Sequence, residues 1–275
     1  MNDFPQNLKT QNKQILMKKF IEFEDACKEN RVFPVCDYLN YFEQELENMA
    51  IEIPEGFSMY RARIYNDELL PKAMQIIENI HNAKTPQDFE HAEQQHKSFE
   101  TQYRTNIEHG FWGYDEKGSF INPDSNSIKA GRCNHDFETC LYTAENPNTA
   151  ISELKPLIKE KISVAEIITL QNLKIIDLSF SINQEEELFK NLIALLFVTS
   201  PTECNKDAYI YTQAICSLVK KHGYDGIKYS SCQNMHYNNY AIFNYTKCKA
   251  IKSDIYFVNS INYECDKQTP RKKQS

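Results

Sequence analysis

The sequence predicts an α+β domain: mixed, mainly antiparallel strands with flanking helices, preceded by a helical lead-in. Three observations predict it. Short runs rich in β-branched and aromatic residues recur along the chain, without the regular long spacing of a doubly wound parallel sheet. Between them lie segments whose apolar residues return every three or four positions. The chain has 275 residues with 16 Tyr and 16 Phe, enough to bury one substantial core.

Each element follows from local pattern. Residues 8–30 are polar but carry Ile15, Phe20, Ile21 and Phe23, a helical signal. Tyr38, Tyr41, Phe42 and Leu46 mark a second helix over 35–49, and IPEGF (53–57) breaks it. Residues 1–50 thus read as a helical N-terminal extension, 51–262 as the main domain and 263–275 as a polar tail. SMYRARIYN (58–66) is a strand. Residues 67–106 are helical, ending in a charged, solvated stretch. Residues 107–135 hold Gly110, Gly113, Gly118, Pro123 and Gly131, the composition of a long loop, and such loops in compact domains are functional or disordered. CLYTA (140–144) is a short strand. Asn146 caps a helix that starts at Pro147, and Pro156 stops it. Strands follow at 162–170 and 173–179, an apolar helix at 185–198, and a helix with Ile210, Ala214, Ile215, Leu218 and Val219 on one face, ended by Gly223. DGIKYSS (225–231), NYAIFNY (239–245) and SDIYFV (253–258) complete the strands.

Composition excludes several function classes. The formal net charge is -7, and bulk nucleic-acid binding needs basic patches. The one dense basic run, Arg271, Lys272 and Lys273, is a solvated end. No apolar run reaches the about 18 residues of a membrane helix, and the N-terminus lacks the apolar core of a signal peptide. Nine scattered cysteines without a CxxC pair suit a reducing compartment. The expectation is a cytoplasmic protein that binds neither nucleic acid nor membrane.

Residues 131–153, GRCNHDFETCLYTAENPNTAISE, place a cation, a phenol and a carboxylate in one short segment. Arg132 sits where the Gly-rich loop meets a strand, and a guanidinium grips phosphate at two points. Tyr142 on the strand can stack on a flat charged ring. Glu153 falls at the edge of the core-facing stripe of the next helix, half sheltered, where a carboxylate acts strongly on a developing cation. The same three residues also fit a surface charge, a core aromatic and a helix ion pair. Arg61 and Arg63 alternate on a strand and point the same way, as surface charges or as a second phosphate contact.

YRAR (60–63), GRCN (131–134), LYTAENPNTAISE (141–153) and DGIKYSS (225–231) together resemble the RES domain family. YTQ (211–213) and NYAIF (239–243) are similar to further family segments, so that the likeness spans about residues 58–245. The chain departs from relatives at His135 and Asp136, and in CQNMHYNN after Ser231. The resemblance implies an ADP-ribosyltransferase-like fold and an enzyme that consumes NAD as substrate, without a metal. It implies the toxin of a toxin–antitoxin pair, with an antitoxin partner and, for a transferase, a protein acceptor of ADP-ribose. It carries the family arginine to Arg132, the tyrosine to Tyr142, the glutamate to Glu153 and the serine to Ser231, with Ser230 adjacent as the fallback. Arg61, Arg63, Arg132, Tyr142 and Ser230 are the expected NAD-binding set. The rival is a catalytically silent module of the same fold that engages a partner protein.

Other motifs are weaker. Cys133, His135 and Cys140 lack a zinc spacing and a fourth ligand. His135 and Glu138 do not make the deaminase H-x-E. Neither common Gly-rich phosphate motif is present. His109, His222 and His236 are isolated, and Tyr237, Tyr240, Phe243 and Tyr245 read as strand packing.

Overall fold

The computed structural model describes residues 13–30, 34–66, 69–120, 125–180, 188–199 and 209–261. The tail 263–275, with Arg271, Lys272 and Lys273, and residues 1–12 of the extension lie outside them. Eight strands form one mainly antiparallel sheet: β1 (Ala50–Ile53), β2 (Ser58–Ile64), β3 (Leu141–Ala144), β4 (Lys161–Thr169), β5 (Leu173–Asp177), β6 (Gly226–Ser230), β7 (Asn238–Ile242) and β8 (Cys248–Phe257). Their order is β1-β5-β6-β7-β3-β2-β4-β8. Among the described strands only β5 and β6 pair in parallel.

Short connections bend this sheet. β4 and β5 are joined by residues 170–172 alone, yet they stand at places seven and two of the strand order. Five inter-strand spacings in a flat sheet span about 24 Å, whereas the four Cα steps from Thr169 to Leu173 reach at most about 15 Å. The sheet must fold back on itself. Residues 54–57 join β1 to β2 under the same constraint, with Gly56 at φ 80 making the turn. The weak point is the middle: β2 and β3 meet at one register position, Tyr60 opposite Ala144.

Helices α1 (Lys13–Glu29), α2 (Asp37–Met49), α7 (Leu188–Val198) and α8 (Ile210–Lys221) cover one face. Leu16, Phe23, Tyr38, Phe42, Phe197 and Ile215 share a core with Ile176, Ile227 and Ala241 of the sheet. The inward stripe of α1 is Leu16, Phe20, Phe23 and Cys27, while Ile15 and Ile21 face solvent. Those four lie on one helical stripe; the two isoleucines fall off it. The alternate strand residues, including Ile167, Leu173, Ile175, Tyr240 and Ile242, form a second core on the opposite face.

The stretch 67–106 is two helices, α3 (Leu69–His81) and α4 (Pro86–Glu108). Thr85 and Asp88 close a capping box with Pro86 at the first turn, which fixes the break. The loop 107–135 contains a short helix, α5 (Glu116–Phe120). Asn146 accepts the Thr149 N–H at 2.9 Å and starts α6 (Pro147–Glu153), which ends ahead of Pro156. β1 has no counterpart in the sequence expectations. No helix among the described residues is long and apolar enough to cross a membrane.

Phe42 is fully buried between the lead-in helices and the sheet-facing core. Phe42→Ala should cost about 3–5 kcal/mol, read as a lower urea midpoint with an unchanged slope.

Candidate functional site

Beyond Tyr60 and Ala144 the two strands part, and a cleft of about 370 Å³ opens between them. Tyr60, Arg61 and Ala62 of β2 form one wall, and Tyr142, Thr143 and Ala144 of β3 the other. Glu153, Arg132, Tyr209, Tyr229 and Asn239 also line it.

Glu153 is the last residue of α6, half-buried at the cleft wall. Its Oε1 accepts two hydrogen bonds, from Ser231 Oγ at 2.6 Å and from Asn239 Nδ2 at 2.7 Å. Its Oε2 has the Cys232 thiol at 3.7 Å, a weak donor. Ser231 is completely buried and does not line the cleft. Its Oγ accepts the backbone N–H groups of Gln233 and Asn234 at 3.2 and 3.1 Å, so its own proton is left for Glu153. The CQNMHYNN segment thereby builds a hydroxyl-closed turn without glycine.

Tyr142 is the post that holds the GRCN loop. Its hydroxyl accepts the Cys133 N–H at 2.7 Å and donates to Asn134 Oδ1 at 2.8 Å. Burial raises its pKa well above 10.0, and that of Tyr229 likewise, so both stay neutral phenols. A Cβ at Gly131 would sit 2.8 Å from Asn134 Oδ1 and 2.9 Å from the Tyr142 hydroxyl, which is why glycine stands there. Gln213 of α8 donates to the carbonyls of Gly131 and Asn134 at 2.9 and 3.0 Å. His135 and Asp136, the departures in this loop, close it: Asp136 Oδ1 accepts the Ala130 N–H and the His135 N–H reaches Glu138.

The Arg132 guanidinium donates to the carbonyls of Leu196 and Thr199 at the end of α7, both at 3.2 Å, and lies 5.5 Å from the Tyr209 ring centroid. Arg61 donates to the Ser119 carbonyl at 3.3 Å. Burial, with Arg63 as the lesser cause, pulls Arg61 down to about 9, which still leaves it charged near neutral pH. No carboxylate among the described residues forms a salt bridge with either guanidinium. Two cations held by neutral carbonyls keep their field for an anion in the cleft.

Two expected ligand-binding residues stand elsewhere. Arg63 is turned to the Gly118 carbonyl and the Tyr114 ring, outside the cleft lining. Ser230 points away from the cleft, its Oγ accepting the Phe180 N–H at 3.1 Å.

The family model described as the RES domain matches residues 102–266, more than half of the chain. The chain belongs to the RES domain family. Arg132, Tyr142, Glu153 and Ser231 fall inside the matched RES segment, and β2 with Arg61 and Arg63 precedes it. Among solved structures, a crystal structure of the M. tuberculosis MbcT–MbcA toxin–antitoxin complex is similar at 10% identity and a TM-score of 0.41. The similarity covers 78% of this chain and 91% of that chain. No curated protein matches the sequence.

The RES site also contains residues that the sequence did not single out. Asn239 and Gln213 hold Glu153 and the GRCN loop, and Tyr60, Tyr209 and Tyr229 add aromatic walls. Asn239 and Gln213 lie in the NYAIF and YTQ segments, and those segments were the available signal. Among the described residues no group of three His, Cys, Asp or Glu side chains could hold a metal ion.

Gly131→Ala should cost about 1–3 kcal/mol through overpacking, read by urea unfolding. Tyr142 and Tyr229 make stability pH-dependent with a definite sign. Their folded pKa values exceed the unfolded value, so their contribution is complete below about pH 10 and is lost as pH rises through the folded values. The urea midpoint should therefore fall as pH rises above about 10, and less steeply in Tyr142→Phe.

Proposed function

We propose that this RES domain is an NAD-consuming enzyme that breaks the nicotinamide–ribose bond. The observation that carries the proposal is Glu153: a carboxylate anchored through one oxygen in a cleft walled by aromatic rings and two guanidinium groups without acidic partners among the described residues. NAD has the matching parts, a diphosphate, a flat cationic ring and a glycosidic bond.

In this mechanism Arg132 and Arg61 take the diphosphate, and the Tyr142 ring stacks on nicotinamide. Cleavage passes through an oxocarbenium-like state. The bond from C1′ to the pyridinium nitrogen breaks, and its electron pair stays with nitrogen, so neutral nicotinamide leaves without a general acid. Positive charge gathers on C1′ and the ring oxygen, next to Glu153, which stabilises it electrostatically. Ser231, buried behind Glu153, acts as a positioning residue. Water, phosphate or a protein nucleophile then bonds to C1′ and gives up its proton to solvent. RES membership supports extending the proposal to the toxin of a toxin–antitoxin pair, acting in the cytoplasm with its cysteines reduced and restrained by an antitoxin.

The test is nicotinamide release from NAD by the full chain. Glu153→Gln should lower kcat about a hundredfold or more with an unchanged melting temperature. Arg132→Lys should raise KM about tenfold by losing the two-point grip. Release without added protein means hydrolysis, or phosphorolysis where phosphate accelerates it; label on a second protein means transfer. Silence under all three conditions overturns the enzyme and leaves the binding module.

A further inference from the structure

Asn239 sits on β7 between two neighbours, opposite Ala144 of β3 and Tyr229 of β6. It is 4% exposed. One end of its amide donates to Glu153 Oε1 at 2.7 Å. The other end, Oδ1, is buried without a hydrogen-bond partner among the described residues. Rotating the amide by half a turn would set oxygen against the carboxylate, so the donor end must face Glu153. An orphaned buried acceptor costs free energy, and an apolar side chain of the same size would avoid that cost. Packing alone therefore gives no reason for an asparagine here. Its N–H toward Glu153 does.

Ser231 donates to the same oxygen. Two donors on Oε1, one from β7 and one from the segment after β6, fix the rotation of the carboxylate. They leave Oε2 with the distant Cys232 thiol. We infer that Asn239 is a positioning residue for Glu153: with Ser231 it clamps Oε1 and presents Oε2 to the reacting centre. This rests on the NAD-cleaving function proposed above. The amide does its work through the carboxylate and transfers no proton itself.

Asn239→Asp supplies the test, because it keeps the shape and makes the donor depend on a proton. Two adjacent carboxyl groups share one proton, and one apparent pKa of the pair rises strongly. Titratable or charged groups around the pair, among the described residues, are Arg61 and Tyr60 of β2, Arg132, Tyr142, Tyr209, Tyr229 and Cys232, with the Glu145 carboxylate one residue along, where it accepts from Asn238. Once pH is high enough for the pair to lose its shared proton, Asn239→Asp should lose about a hundredfold in kcat with KM little changed. As pH falls the loss should shrink, about tenfold per unit, until the pair holds one proton and the introduced carboxyl donates as the amide did. Asn239→Ala should stay low at every pH. Wild-type kcat in Asn239→Ala, or an equal loss in both variants at all pH values, overturns the inference.

A second measurement needs no substrate. The Glu153 carboxyl titration, followed by carbon-13 NMR, should move upward in Asn239→Ala, because a donor to the charged form is gone. An unmoved midpoint overturns the positioning role. A wild-type chain that releases no nicotinamide overturns the NAD-cleaving function instead, and the titration still decides on Asn239.

Discussion

Everything in the site depends on a length constraint. Two connections, 54–57 and 170–172, are too short to join their strands across a flat sheet of this order. The sheet therefore folds into two halves, and β2 and β3 are left holding them together at Tyr60 and Ala144. Where the pairing ends, backbone and side chains of both strands face a shared space. The cleft is a product of the topology before any side chain is considered, and this is why its lining comes from residues as far apart as Tyr60 and Asn239.

The polar groups around that space divide into two kinds. One kind is satisfied within the protein. Asn134 and Gln213 bind loop carbonyls, the Tyr142 hydroxyl joins two loop positions, and Ser231 is fully engaged. These make the walls stiff. The other kind is left incomplete. Arg61 and Arg132 are held in place by carbonyl oxygens that orient them without cancelling their charge. Stiff walls and uncancelled charge are the two conditions for electrostatic preorganisation.

Much of this was legible from local sequence. Asn146 and Pro147 announce the start of α6, Gly223 at φ 78 ends α8, and the order of the strands along the chain follows from β-rich runs. The family motifs locate Arg132, Tyr142, Glu153 and Ser231. What was not legible depends on distance along the chain. Asn239 meets Glu153 across 86 residues and Gln213 meets Gly131 across 82, and no local pattern encodes such a meeting. β1, only four residues long, is defined by its partner β5 rather than by its own composition. Arg61 and Arg63 share a face by parity, yet only Arg61 is level with the opening. Ser230 and Ser231 differ because the strand ends between them, which sends their hydroxyls to separate partners. Parity names a face; it does not say how far along that face a cavity extends.

The clamp on Glu153 has a geometric consequence. A free carboxylate has two equivalent oxygens and spins readily, so it is blind to handedness. Anchored through one oxygen, it becomes a lopsided object whose other oxygen alone is open to a ligand. A ring passing in front of it meets negative potential on one side only, and the mirror-image approach finds the oxygen already occupied. The resting cleft thus offers its negative charge from a fixed direction, set at the level of one torsion angle.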